Sequence, residues 1–157
     1  MKFTELNLEE GLLEAISYMG FENATPIQEK AIPFILDNKD LIACAQTGTG
    51  KTGAFVLPIL NKLVGNTKTE TNTLIIVPTR ELAIQIEQVA RNMGSGYKTN
   101  AAYGGQSFNQ DTINIKHRPA ILVGTPGRIA DHIRRKSFEL EMISLTCTSR
   151  SNENTSS

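Results

Sequence analysis

The sequence predicts an α/β fold built around a mostly parallel sheet. Short apolar runs alternate along the chain with stretches whose apolar residues recur at helical spacing, which is typical of α/β proteins. The apolar runs hardly alternate with polar residues, as expected for parallel strands that are covered on both faces. The chain has 157 residues, 39% of them hydrophobic, which is enough for one domain with a sizeable core but not for a second full domain.

The first two predicted elements of the chain are helices. A first helical face is formed by Leu8, Leu12, Leu13, Ile16 and Met19. The segment "PIQEKAIPFIL" predicts a second helix, bent or broken near Pro33. Further helices are predicted over residues 51–64, 80–93, 108–115 and 127–136. Strands are predicted in the segments "DLIACA", "TLIIVP", "TNAAYG" and "AILVG".

The overall charge does not select a partner, because 16 basic and 16 acidic residues balance. Their distribution is uneven, however. Residues 1–38 carry seven acids and two bases, whereas residues 116–136 carry six Lys or Arg residues and one acid, Asp131. Two solvated faces explain this pattern, and a contact with a polyanion near the basic region is the alternative.

The cysteine content and the hydropathy indicate the compartment. Cys44 and Cys147 are too few and too far apart in sequence for a zinc site or a disulfide framework, which indicates a reducing environment. No apolar run reaches the roughly 18 residues of a membrane span, and the acidic N-terminus lacks signal-peptide organisation. These features predict a soluble, cytoplasmic protein. We expect both histidines, His117 and His132, on its surface.

Three predicted helices begin with a threonine that can cap the first turn. These residues are Thr25, Thr79 and Thr125. Proline follows two of them, as Pro26 and Pro126, where a missing N–H costs nothing. Each motif alone also fits an ordinary helix start. Two of the three directly follow predicted strands, so their helix N-termini are expected at the carboxyl edge of the sheet, where open α/β sheets bind ligands.

The segment "AQTGTGKT" lies between a predicted strand and a predicted helix, as a phosphate-binding loop does. Its residues are Ala45, Gln46, Thr47, Gly48, Thr49, Gly50, Lys51 and Thr52. The glycines let successive backbone N–H groups curl around an anion, and the helix N-terminus adds partial positive charge. Lys51 could reach the β- and γ-phosphates and the Thr52 hydroxyl could ligate Mg²⁺. Ala45 departs from the usual glycine, and an ordinary glycine turn with a surface lysine is the alternative.

Five ordered motifs, "GFENATPIQ", "AQTGTGKT", "PTRELA", "YGGQ" and "TPGR", sharpen this interpretation. Together they resemble the N-terminal RecA-like domain of DEAD-box ATP-dependent RNA helicases over residues 3–140. The resemblance implies that the segment from Phe21 through Thr25 to Gln28 recognises adenine. Phe21 would lie against the base and the Gln28 amide would pair with its N6 and N7 edge, which favours ATP over GTP. ATP and Mg²⁺ are the implied cofactors.

The same resemblance assigns the later motifs to RNA, contacted mainly through phosphates and sugars. The residues implied are Pro78, Thr79, Arg80, Gly104, Gly105, Thr125, Pro126, Gly127 and Arg128. Capped helix N-termini at one sheet edge present N–H groups to anions, which supports this independently. We therefore expect RNA binding that tolerates different sequences and weakens with salt.

The chain departs from the family pattern after residue 140. The family continues with an apolar strand that ends in Asp-Glu-Ala-Asp, but this chain continues "EMISLTCTSRSNENTSS". Residues 1–140 are therefore expected to form a partial N-terminal RecA-like domain, incomplete at its C-terminus, with the adenine-recognition segment within residues 1–29. Residues 141–157 are expected to be a divergent tail, disordered from about Thr146. A truncated, frame-shifted product is our hypothesis, and a naturally short homologue is the alternative.

Two functions from different classes remain open. By resemblance, the chain belongs to an ATP-dependent RNA helicase that hydrolyses ATP and unwinds RNA duplexes. The alternative is a catalytically inactive fragment that binds adenine nucleotide, and RNA weakly, without hydrolysis. Another P-loop ATPase fits less well, because such proteins do not require "TPIQ" upstream of the loop.

Overall fold

The computed structural model describes residues 1–43, 50–63, 71–93, 99–102 and 107–148. The chain divides into two compact units. The first consists mainly of residues 1–66, and the second of residues 67–91 and 96–151.

The first unit is helical. A 3-10 turn at Phe3–Glu5 precedes helix α1 (Glu10–Tyr18), helix α2 (Pro26–Leu36) and helix α3 (Lys51–Leu63). Helix α2 packs along α3. Helix α3 is buried on most of its circumference, as expected for a helix that is apolar almost all round. Helix α2 runs through Pro33 without a break, so of the two predicted possibilities a break there is wrong. The packing of Ala31 and Ile32 outweighs the local cost of proline.

The strand predicted for "DLIACA" is wrong for the residues that the structure describes. Residues 40–43 are irregular. Ile42 is 96% exposed, so the apolar run does not enter a core here. A strand needs a hydrogen-bonded neighbour, and no strand of the described part of the chain pairs with these residues. Cys44 and Ala45, the rest of the predicted strand, lie outside the described residues.

The second unit contains a parallel sheet. Its elements are β1 (Thr73–Ile76), α4 (Arg80–Met93), β2 (Thr99–Ala102), α5 (Phe108–Lys116), β3 (Ile121–Gly124), α6 (Pro126–Arg134), a 3-10 turn (Leu140–Met142) and β4 (Leu145–Thr148). The strand order is β2-β3-β1-β4, and every pair is parallel. This confirms the predicted α/β class with a parallel sheet.

Apolar side chains from strands and helices form one core cluster in this unit. Leu74 and Leu122 come from the neighbouring strands β1 and β3, and Ile115 and Ile129 come from α5 and α6. All four are buried, which holds both helices against the sheet. Helices α5 and α6 therefore share one core with the sheet.

Strand β4 corrects the prediction for the tail. Thr146, Cys147 and Thr148 lie in a strand that pairs with β1, so the expectation of disorder from Thr146 is wrong for these residues. Residues 149–157 lie outside the described part of the chain. The polar composition suggested disorder, but the ladder to β1 supplies hydrogen bonds that composition does not reveal.

Candidate nucleotide and RNA sites

Gln28 joins two segments of the predicted nucleotide site within the first unit. Its Oε1 accepts a hydrogen bond from the Thr25 backbone N–H at 3.0 Å, and its Nε2 donates to the Gly50 carbonyl oxygen at 3.1 Å. Gln28 is only 8% exposed. Both ends of the amide are thus used to connect the start of α2 to the residue that precedes α3.

Thr25 and Gln28 have the arrangement of a capping box, but the predicted cap from the Thr25 side chain does not form a hydrogen bond. Only the bond from the Thr25 N–H to Gln28 has hydrogen-bond geometry. The Thr25 Oγ1 atom is buried and makes no hydrogen bond to any described residue. A buried hydroxyl without a partner is costly, so this atom is a candidate for a ligand or water contact.

Gly50 occupies a position that only glycine fits. Its φ is +87°, in the left-handed region. A Cβ atom there would lie 2.6 Å from Gln28 Nε2 and 2.8 Å from Thr25 Oγ1. The backbone of the predicted phosphate loop therefore reaches the start of α3 in close contact with the predicted adenine segment.

Lys51 and Thr52 are the first two residues of α3, and both are half-buried. The first N–H groups of a helix have no partner within the helix, and the helix dipole places partial positive charge there. This end of α3 is thus suited to an anion. The preceding site residues Ala45, Gln46, Thr47, Gly48 and Thr49 lie outside the described residues. Phe21, predicted to contact adenine, is 51% exposed.

In the second unit, two predicted RNA segments lie at one edge of the sheet. Strand β1 is followed by Pro78 and Thr79 at the start of α4, and β3 is followed by Thr125 at the start of α6. Ile76 is opposite Gly124, and the Val77 N–H donates to the Gly124 carbonyl oxygen at 3.0 Å. The two segments therefore leave the carboxyl ends of adjacent parallel strands.

The two helix starts at this edge differ in their caps. Thr79 Oγ1 accepts a hydrogen bond from the Leu82 N–H at 3.2 Å, which confirms the predicted cap of α4. Thr125 occupies the N-cap position of α6, but its side chain makes no capping bond, so that part of the prediction is wrong. Its backbone is extended and Pro126 fixes the next φ, which suffices to start the helix.

The remaining predicted RNA residues fall into three groups. Arg80 is the exposed first residue of α4. Pro126 and Gly127 are exposed in the first turn of α6, next to Arg128. Gly104 and Gly105 lie outside the described residues, two and three positions after β2.

Arg128 forms an ion pair that the sequence analysis missed. Its Nη1 lies 3.0 Å from Asp111 Oδ2, and Asp111 is fully buried on α5. The Arg128 side chain is 17% exposed. The two residues are seventeen positions apart, so no local spacing rule pairs them. The basic segment 116–136 is therefore not simply a solvated face.

The expectation that His132 lies on the surface is wrong. Its side chain is fully buried, whereas His117 is exposed as predicted. His132 Nε2 lies 3.4 Å from the same Asp111 oxygen, and Nδ1 lies 2.9 Å from Ser137 Oγ. Burial lowers the pKa of His132, although Asp111 opposes this effect. A neutral ring with the proton on Nε2 satisfies both contacts, because the carboxylate only accepts and the Ser137 hydroxyl can donate.

Aromatic stacking completes this cluster. The Phe108 ring stacks on the His132 ring, with centroids 4.1 Å apart and an angle of 15° between the planes. The Arg135 guanidinium lies 4.6 Å from the Phe108 centroid. Cation–π contacts of this kind contribute roughly 0.5–1 kcal/mol at exposed positions.

Two further features concern metal binding and membrane spans. Within the described residues, no group of three or more His, Cys, Asp or Glu side chains could hold a metal ion. No helix of the described ranges is long and apolar enough to cross a membrane.

Comparison with known proteins identifies the family. A family model described as DEAD/DEAH box helicase matches residues 25–147. The chain is 46% identical over 144 residues to the ATP-dependent RNA helicase CshA of Listeria monocytogenes, covering 90% of this chain and 28% of that protein. It is 48% identical over 143 residues to the DEAD-box ATP-dependent RNA helicase CshA of Bacillus cereus, covering 90% of this chain and 27% of that protein.

The relative named ATP-dependent RNA helicase CshA in Limosilactobacillus reuteri gives a similar result, with 47% identity over 145 residues. The chain spans somewhat more than a quarter of the length of these curated relatives. The family model covers most of the chain, including the segments that the geometry brings together at Gln28 and at the sheet edge. This chain therefore belongs to the DEAD/DEAH box helicase family.

Proposed function

We propose that the first unit binds ATP with Mg²⁺, that the second binds the RNA backbone, and that both take part in ATP-dependent RNA helicase activity. One observation carries this proposal. The Gln28 side chain donates to the Gly50 carbonyl oxygen and so joins the proposed adenine segment to the proposed phosphate loop. The relatives' printed names, which include both ATP and RNA, agree with it.

The start of α3 fits the phosphates of a nucleotide. Gly50 has the left-handed backbone that a phosphate loop requires, and the first turn of α3 supplies N–H groups and partial positive charge. Lys51 would contact the β- and γ-phosphates, and the Thr52 hydroxyl would ligate Mg²⁺. Bound Mg²⁺ would neutralise negative charge that develops on the phosphates. The loop residues Ala45, Gln46, Thr47, Gly48 and Thr49 would complete this P-loop.

The adenine end of the nucleotide is assigned to Phe21, Thr25 and Gln28. Phe21 is exposed and can lie against a base. Gln28 keeps one Nε2 hydrogen and one Oε1 lone pair after its two hydrogen bonds, and this pair matches the N7 and N6 groups of adenine. Guanine presents two acceptors at that edge, so ATP should bind more tightly than GTP.

The RNA backbone is assigned to the sheet edge of the second unit. The residues proposed are Pro78, Thr79, Arg80, Gly104, Gly105, Thr125, Pro126, Gly127 and Arg128. The segments after β1 and β3 leave adjacent strand ends, so the N–H groups at the starts of α4 and α6 can approach one phosphate chain. Contacts of this kind position the backbone but carry little sequence information. We place this activity in the cytoplasm.

A second candidate is nucleotide and RNA binding without turnover by these 157 residues. The sequence contains no Asp-Glu-Ala-Asp, the motif whose acids hold Mg²⁺ and orient water in the family it resembles. Phosphoryl transfer depends on such groups for positioning and charge stabilisation. ATP hydrolysis measured with and without RNA separates the two candidates, because RNA-stimulated turnover supports the first alone.

Nucleotide binding tests the first half of the proposal. Titration with Mg-ATP should raise the Tm of the chain, since a ligand of the native state stabilises it, and GTP should raise it less. Lys51→Ala should abolish the shift, whereas Lys30→Ala, which changes an exposed lysine on α2, should leave it intact. An equal shift with Lys51→Ala would contradict the proposed phosphate contact.

A further inference from the structure

Arg135 carries a guanidinium group that lies on an aromatic ring and not on a carboxylate. It is exposed and directly follows the last residue of α6. Its guanidinium carbon lies over the Phe108 ring, 4.6 Å from the ring centroid. Among the residues that the structure describes, no Asp or Glu forms an ion pair with it. Within that part of the chain, its positive charge is therefore not neutralised by a salt bridge.

The Phe108 ring is a fixed support for this guanidinium. It stacks on the His132 ring, with centroids 4.1 Å apart and an angle of 15° between the planes. His132 is fully buried, and its two ring nitrogens contact Asp111 and Ser137. Packing and hydrogen bonds therefore hold the histidine, the histidine holds Phe108, and Phe108 holds Arg135 in one place.

The contact with the ring leaves the hydrogen-bonding groups of Arg135 available. A guanidinium on an aromatic face is attracted through its charge and its flat surface, whereas its N–H donors point outward in its own plane. Within the described residues, none of these side-chain donors makes a hydrogen bond. A planar fork of donors held in a fixed place suits bidentate contact with a phosphate.

Phe108 brings Arg135 towards the proposed RNA edge of the second unit. It is the first residue of α5 and comes six positions after Ala102, the last residue of β2. Strand β2 runs parallel to β3, and β3 runs parallel to β1. The carboxyl end of β2 therefore lies at the same edge of the sheet as the starts of α4 and α6.

We propose that Arg135 binds a phosphate of the RNA backbone and that Phe108 is the residue that positions it for this contact. This inference rests on the proposed RNA-binding function and extends the RNA path beyond the five sequence motifs. The contact adds affinity for RNA of any sequence, because phosphates carry no base identity.

The salt dependence of RNA affinity tests the assignment of Arg135. Binding of a labelled oligouridine to the 157-residue chain is measured over a series of salt concentrations. Each phosphate-neutralising side chain contributes about 0.7 to the slope of log K against log salt for single-stranded nucleic acid. Arg135→Met should weaken binding and reduce the steepness of the slope by about 0.7. Lys116→Met, the matched control, removes one exposed positive charge at the far end of α5 and should leave affinity and slope unchanged.

Two further variants test the planar fork and the ring. Arg135→Lys keeps the charge but loses the fork, so binding should weaken while the slope is kept. Phe108→Leu keeps an apolar side chain but removes the aromatic face. It should weaken binding in the unsubstituted background and cause no further loss when added to Arg135→Met, because Phe108 acts through Arg135. The Tm of each variant is measured alongside, and the Arg135 variants decide the phosphate contact even if Phe108→Leu does not fold.

The outcomes are distinguishable. Equal affinities and equal slopes in Arg135→Met and Lys116→Met overturn the inference while leaving RNA binding intact. Additive losses of affinity in folded Phe108 and Arg135 variants overturn the positioning role of Phe108. Failure of the unsubstituted chain to bind oligouridine at low salt overturns the proposed RNA function, and this inference with it.

Discussion

The side chain of Gln28 shows how one amide can serve structure and recognition together. It accepts from the Thr25 N–H and donates to the Gly50 carbonyl oxygen, and one hydrogen and one lone pair remain for a base. The local motif predicts a cap at Thr25 and, by resemblance, an adenine contact at Gln28. It does not predict the bond to Gly50, because that contact joins residues 22 positions apart.

Gln28→Glu should destabilise the first unit. A carboxylate oxygen would replace Nε2 at 3.1 Å from the Gly50 carbonyl oxygen, so two acceptors would face each other in a buried place. We expect a loss of about 1–3 kcal/mol in the free energy of unfolding, measured with urea. Gln85→Glu, on the exposed face of α4, is the control and should change the free energy by less than about 0.5 kcal/mol. Equal losses in both variants would show that the bond to Gly50 contributes little.

His132 should make stability depend on pH. Burial lowers its pKa below the ordinary value of 6.5, against the effect of Asp111 and Asp131, while Arg128 adds to the lowering. As the pH falls, His132 is therefore protonated at a higher pH in the unfolded chain than in the folded chain. The stability that His132 contributes is therefore complete above 6.5 and is lost as the pH falls from there towards its folded pKa.

The prediction is checked by measuring the free energy of unfolding between about pH 7 and about pH 5. His132→Gln should flatten the dependence, because glutamine does not titrate. His117→Gln changes an exposed histidine and should leave the dependence as it is. A flat profile in the unsubstituted chain would contradict the role assigned to His132 burial.

At the scale of the elements, helices α2, α5 and α6 are each followed, two positions after their last residue, by a residue in the left-handed region. Asn38, Arg118 and Lys136 have φ values of 59°, 53° and 53°. Asparagine tolerates this conformation, but a lysine or arginine is strained by roughly 1–2 kcal/mol. The left-handed conformation ends the helical hydrogen-bonding pattern and turns the chain into the following segment.

Lys136→Gly should therefore stabilise the chain, although glycine is usually unfavourable. Relief of the left-handed strain outweighs the added freedom of the unfolded chain, for a net gain of up to about 1 kcal/mol. Ala130→Gly, at an exposed position inside α6, should cost about 1 kcal/mol. Thermal or urea unfolding of both variants measures the difference. A loss of stability in both would mean that the backbone at Lys136 is not strained.

The helices were more predictable than the strands. Helices α2 and α4 have the predicted boundaries, and α5 differs by one residue, because periodic apolar residues and helix-start residues are local signals. Strand β4 was missed, since the residues around it are mostly polar and its partner β1 is about seventy positions away. The segment 40–43 was overpredicted for the converse reason, because an apolar run alone does not supply a neighbouring strand.

The same distinction holds for the candidate sites. Residues named by a local motif, such as Gln28 and Thr79, could be found in the sequence. The cluster of Asp111, Arg128 and His132 could not, because it forms only when the folded sheet brings α5 and α6 near each other. Burial of a titratable group depends on that packing and not on local spacing.

At the scale of the molecule, the chain is a RecA-like α/β protein whose described sheet has β2 and β4 at its edges. Strand β4 covers β1, and Ile75 of β1 is fully buried. An uncovered strand edge is a template for association with other chains. By pairing with β1, the mostly polar strand β4 thus protects the edge of that strongly apolar strand from association with other chains.

Truncation tests this protection. A chain that ends after Ser144 loses β4, whereas one that ends after Thr148 keeps it. We expect the shorter chain to have a lower Tm and to aggregate, because the ladder groups of β1 lose their partner. Calorimetry and light scattering compare the two. Equal Tm values and equal scattering would show that β4 does not stabilise the sheet.

The close approach at Gly50 has a genetic consequence. Two obstacles exclude a side chain there, namely the contact with Gln28 and Thr25 and the backbone angle itself. A second-site change that trims residue 28 would remove only the Gln28 part of the first obstacle and would leave Thr25 and the backbone angle in place. In a saturation library at codon 50, suppressors at codon 28 should therefore fail to rescue even alanine, and glycine alone should survive selection.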